Sequence, residues 1–92
     1  MSKSEVLRKD LESKSILKVG GAFDAMSAKL VENSGFDAVW AGSFAISATH
    51  ALPDASILTM TEFFDAASSM SSTCKIPIIA DCDTGYGGPS NV

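Results

Sequence analysis

Residues 75–83, KIPIIADCD, carry an unbroken apolar run that stops at two aspartates one residue apart. Such a run fits a strand covered on both faces, as in a parallel sheet flanked by helices. Two earlier segments read as strands: SILKVGGAF (15–23), which ends near a glycine pair, and FDAVWAGS (36–43). Between them, Asp24 is placed to cap a helix with apolar positions Met26, Ala28, Leu30 and Val31, which Gly35 stops. Thr59 and Glu62 have capping-box spacing before a helix over 60–73, with Phe63, Phe64, Ala67 and Met70 as its core face. At the start, Ser2 and Glu5 repeat that spacing ahead of a helix over 3–13, with Val6, Leu7 and Leu11 as a short apolar stripe. Residues 44–58 read as a long loop.

The predicted order is therefore α-β-α-β-α-β within a single α/β domain. Strands that alternate with helices join by right-handed crossovers and lie parallel. Their carboxyl ends then share one rim, where ligands bind in such folds. Gly20–Gly21, the stretch Trp40-Ala41-Gly42-Ser43, and Asp81-Cys82-Asp83 all fall on that rim.

Burying charge at the end of an apolar strand is expensive, so the aspartate pair needs a reason. Two residues apart in an extended strand, Asp81 and Asp83 leave on one face. Their repulsion raises a pKa or calls for a cation. Mg²⁺ fits: it is a hard cation held by one or two carboxylates plus waters and substrate oxygens. The competing reading is a turn with two solvated carboxylates. Gly42 and Ser43 offer N–H groups and a hydroxyl to an anion, or merely relieve crowding. Trp40 walls a pocket or fills a core. Asp54, after Pro53, is either held toward the rim or an ordinary turn residue. TGYGG (84–88) is a turn, with neither a Walker nor a dinucleotide pattern.

Composition narrows the field of function. A net charge of −4 without a basic cluster argues against nucleic acid and anionic membranes as partners. No apolar run approaches the ~20 residues of a spanning helix, and the polar N-terminus does not read as a signal peptide. Cys74 and Cys82 read as reduced thiols of a cytoplasmic protein, Cys82 as a small packed residue. His50, without a nucleophile motif near it, reads as a loop histidine.

GFDAVWAGSFAISA, LPDAS and IPIIADCDTGYGGPSNV, in that order, resemble the N-terminal part of the phosphoenolpyruvate mutase/isocitrate lyase superfamily. The stretch AISATHALPDAS leans toward its phosphoenolpyruvate mutase and phosphonopyruvate hydrolase branch. The resemblance implies a (β/α)8 barrel, Mg²⁺ dependence, chemistry through a pyruvate enolate, and a homo-oligomer acting on a small-molecule substrate. By position, it implies Asp81 and Asp83 as metal residues, directly or through water. Trp40, Gly42, Ser43 and Phe44 would line the substrate pocket, and Asp54 would be the carboxylate near the migrating phosphoryl group. Where the family has Ser-Gly, this chain reads Gly42-Ser43, an exchange expected to move the hydroxyl to the other face of a strand. A whole barrel runs to ~250 residues. The 92-residue chain is accordingly expected to be an incomplete portion of one barrel domain, unstable or inactive alone.

Overall fold

The computed structural model describes residues 1–91; Val92, the last residue of the PSNV motif, lies outside them. Helix α1 (Lys3–Ser13) leads into strand β1 (Val19–Ala22), helix α2 (Ala25–Asn33) and strand β2 (Ala38–Ala41). Helices α3 (Ser43–Thr49) and α4 (Met60–Thr73) follow, then strand β3 (Ile78–Ala80) and a 3-10 turn at Pro89–Asn91. The sheet order is β1-β2-β3 with both pairings parallel, as the strand–helix alternation requires.

Two of the predicted caps form complete boxes. Asp24 accepts from the Ser27 N–H at 2.8 Å while the Ser27 hydroxyl accepts in return from the Asp24 N–H. Thr59 and Glu62 do the same for α4. Gly35, at φ +87°, takes the left-handed conformation that ends α2.

Burial alternates along β1, whereas β2 buries both Ala38 and Val39. Gly20 and Ala22, paired with Val39 and Ala41, turn toward the helices. A methyl group on Gly20 would stand 2.7 Å from Val31, so only glycine lets α2 sit this close. Val39, Ala41, Ile46, Leu58, Phe63, Met70 and Cys74 belong to the buried core around Ala28. The register puts Gly21, Trp40 and Ile79 on the opposite face, where Gly21 and Trp40 are exposed and Ile79 is half-buried.

Several expectations are corrected. The segment 44–58 is not all loop, because α3 occupies its first part and His50 is the C-cap of that helix. The strands are shorter than their apolar patterns, since hydrogen-bonded pairing stops before the apolar residues do. Trp40, read as a pocket wall or as filling the barrel interior, is 41% exposed on the sheet face opposite α2. Phe64, expected on the core face of α4, is 66% exposed, and Phe63 alone of the pair is buried. Cys82 is exposed, and the packed thiol is Cys74, whose pKa burial pushes up.

Candidate functional site

The carboxyl ends of β2 and β3 meet through Asp81. The ladder runs one bond past β3, from the Asp81 N–H to the Ala41 carbonyl at 3.0 Å. Strand parity therefore puts Asp81 on the face of Ile79 and Trp40. Its carboxylate collects three donors. Ser43 donates its hydroxyl to Oδ2 at 3.0 Å and its N–H to the same oxygen at 3.5 Å, and the Asp83 N–H reaches Oδ1 at 3.0 Å. These bonds lower the Asp81 pKa, the Asp83 N–H contributing most and partial burial opposing it. The rim thus carries a carboxylate held in its charged form.

Asp83 is not in the strand. Its φ of +46° lies in the left-handed region, within a turn, so the same-face argument from two-residue spacing does not apply to it. What joins the two aspartates is the Asp83 N–H on the Asp81 carboxylate, a local side-chain–backbone turn. The Ser43 expectation changes for a related reason. Because β2 ends at Ala41, Ser43 is the first residue of α3, and strand parity does not decide where its hydroxyl points. It is 3% exposed and directed at Asp81.

Gly42 is the N-cap of α3 and lies under Trp40, where a Cβ would come within 2.7 Å of the indole Nε1. The structure therefore joins the expected residues into two groups, Ser43 with Asp81 and Asp83, and Trp40 with Gly42. Phe44 is 73% exposed on α3. Asp54 is exposed in the α3–α4 connection and makes no hydrogen bond or ion pair among the described residues.

Tyr86 was not singled out from the sequence. Its hydroxyl donates to the Asp81 carbonyl at 3.1 Å, and its ring stacks on Phe63 with centroids 5.2 Å apart. Burial, reinforced by the negative charge of Asp83, pushes its pKa up to about 12. A tyrosine between glycines, in a segment leaving an apolar strand, was the available signal. Asp81 and Asp83 border a cavity of about 480 Å³ that is otherwise mostly apolar, with Phe63, Phe64, Met60 and Tyr86 in its wall. Among the described residues no lysine or arginine lines it.

The donor set suits a hard cation. Among the described residues no three His, Cys, Asp or Glu side chains converge. A cation here would take one or two carboxylates and fill its shell with water and ligand oxygens, which is how Mg²⁺ binds.

Comparison with known proteins identifies the lineage. The chain is 40% identical over 93 residues to the 2,3-dimethylmalate lyase of Eubacterium barkeri, all of this chain against 32% of that protein. It superposes on the phosphoenolpyruvate phosphomutase of Streptomyces platensis subsp. rosaceus with a TM-score of 0.92 and 42% identity, covering 99% of this chain and 31% of that one. A phosphonopyruvate hydrolase solved in complex with oxalate and Mg²⁺ gives a TM-score of 0.94 and 40% identity, covering 99% and 32%. The chain spans about a third of the length of the curated relatives it matches. Its three parallel strands and their helices form a sector of the barrel these enzymes share. The model of the phosphoenolpyruvate phosphomutase family matches residues 7–92, and the chain belongs to that family, within the phosphoenolpyruvate mutase/isocitrate lyase superfamily.

Proposed function

We propose that this chain supplies the β1–β3 rim of a Mg²⁺-dependent phosphoenolpyruvate mutase, which interconverts phosphoenolpyruvate and phosphonopyruvate through a pyruvate enolate. The observation that carries the reading is the Asp81 carboxylate, fixed by Ser43 and Asp83 at a strand exit. A cation between an anionic substrate and the aspartates resolves the charge there. The family model and the likeness to a solved phosphomutase support the mutase reading.

In this reading Asp81 and Asp83 hold Mg²⁺, directly or through water. When bound, Mg²⁺ supplies positive charge for the enolate oxygen. Trp40 and Phe44 give the substrate an apolar wall, and the turn at Gly42-Ser43 brings backbone N–H groups to the rim. Asp54 stands near the migrating phosphoryl group, on a connection stiffened by Pro53. A loose, metaphosphate-like transfer asks for positioning and charge neutralisation more than for a covalent nucleophile. The protein acts in the cytoplasm, as a homo-oligomer, on this small-molecule substrate.

The second reading keeps the same rim. Hydrolysis of phosphonopyruvate, or carbon–carbon cleavage of a 2-methylisocitrate-like acid, is favoured by the equal likeness to a hydrolase and a lyase. Phosphorus NMR of the protein given phosphonopyruvate and Mg²⁺ separates them. Growth of a phosphoenolpyruvate signal is expected. Growth of inorganic phosphate means the hydrolase, and an unchanged spectrum leaves the lyase or a chain without activity.

A further inference from the structure

We propose that Ser43 is a positioning residue for Asp81, its hydroxyl setting the carboxylate for a divalent cation instead of contacting substrate. The inference rests on the reading of Asp81 as a metal residue and assigns Ser43 a different task from the pocket role its sequence position implies.

Three observations carry it. First, Ser43 is 3% exposed, so its hydroxyl is closed to a ligand arriving from solvent, and a buried hydroxyl needs a partner. Its side-chain partner is Asp81 Oδ2, 38 residues away in sequence, at 3.0 Å. Second, the Gly42-Ser43 order puts the serine at the first position of α3. Helical backbone there sends the side chain back across the end of β2 toward β3. A serine at position 42, the extended N-cap under Trp40, would have its Cβ against the indole. The exchanged order is thus the one that fits this tryptophan, and it delivers the hydroxyl to Asp81.

Third, both oxygens of Asp81 are engaged. Oδ2 takes the Ser43 hydroxyl at 3.0 Å, with the Ser43 N–H at a long 3.5 Å, and Oδ1 takes the Asp83 N–H. The plane of the carboxylate is therefore set before a cation arrives, and of its about four lone-pair sites some remain for the cation. Partners of this kind, behind the ligands themselves, typically change metal affinity 10–100-fold when removed.

Mn²⁺, which reports its own binding through loss of the free-ion EPR signal, is the probe. The full-length enzyme that carries this rim is titrated beside its Ser43→Ala, Ser43→Gly and Asp81→Asn variants, with each thermal midpoint measured in EDTA. Both Ser43 variants lack the hydroxyl and keep the backbone N–H, so either one suffices if the other does not fold. The expected result is at least a ~10-fold weaker Mn²⁺ affinity in the Ser43 variants with an EDTA midpoint close to wild type. Affinity within about twofold of wild type overturns the inference. So does a lower midpoint that accounts for the whole loss of affinity, since Ser43 would then be structural only. Asp81→Asn tests the underlying reading separately: it should abolish binding, and wild-type affinity in that variant removes Asp81 from the metal site whatever Ser43 does.

Discussion

Gly42 has no side chain, and the space beside it is taken by the Trp40 indole. This pair makes the rim sensitive to a single methyl group. In Gly42→Ala the added Cβ cannot stay 2.7 Å from Nε1, so the ring must swing away. Because Trp40 is part-exposed on an open sheet face, that movement costs little packing, about 1 kcal/mol or less. The fluorescence of Trp40, the one tryptophan of the chain, should shift, and turnover should fall by at least ~10-fold, as misplacement of a positioning group does. Unchanged fluorescence with full turnover would mean that the indole lies elsewhere in solution.

Residue identities at the rim were legible in the sequence, and their geometry was not. The DxD spacing singled out two aspartates that the structure joins in another way, because a left-handed φ at Asp83 takes that residue out of the strand and its N–H meets the Asp81 carboxylate. The contact between Ser43 and Asp81 joins residues on different elements, so no local pattern announces it.

At the scale of elements, α2 is tied to the entry of β3 by Glu32. Its carboxylate accepts from the Lys29 ammonium at 2.7 Å and from the backbone N–H groups of Lys75 and Ile76. The Lys29 hydrogen bond, followed by the Lys75 N–H, pulls its pKa from 4.5 to about 2. A carboxyl whose pKa falls on folding gives stability that is complete above the unfolded value and lost as pH drops through the folded one. Stability should therefore decline between about pH 4.5 and 2, and Glu32→Gln should flatten that part of the profile. At neutral pH the variant should lose about 1 kcal/mol, since solvent near the carboxylate screens the ion pair. Urea unfolding of both proteins across that range checks the slope.

The end of α3 offers a change in the opposite direction. Ala51 follows the His50 cap with φ +56°, a left-handed conformation that disfavours any residue with a Cβ. Ala51→Gly removes that penalty and adds some entropy to the unfolded chain. The net gain should be roughly 0.5–1 kcal/mol, read as a higher urea midpoint. This helix was hidden in the sequence because its N-cap is a glycine without a side-chain hydrogen bond and its residues are mostly small. The caps of α2 and α4 were visible because Asp24 and the Thr59–Glu62 pair carry their hydrogen-bonding groups in side chains.

For the molecule as a whole, the notable feature is what stays uncovered. β1 and β3 are both edges, and Trp40, which shares a face with Ile79, is 41% exposed. Phe44 and Phe64 add further apolar surface. Unpaired edges and apolar patches of this kind drive association. On its own the 92-residue polypeptide should therefore sediment as oligomers or aggregates at micromolar concentration, unlike the whole enzyme on which the unfolding and turnover measurements are made. A monomer would show that these surfaces tolerate water. The strand order and parallel pairing were readable from apolar runs separated by capped helices. The open face was not, because strand periodicity tells which side chains share a face and not what covers it.

The account depends on a divalent cation held at the Asp81–Asp83 rim. The direct measurement is conversion of phosphonopyruvate, followed by phosphorus NMR, for the full-length enzyme that carries this rim, with Mg²⁺, with excess EDTA, and with both aspartates changed to asparagine. The account predicts turnover with Mg²⁺, none in EDTA, and a rate at least ~100-fold lower in the double variant, as expected when charge stabilisation of the transition state is lost. Turnover that survives both chelation and the double substitution would contradict it.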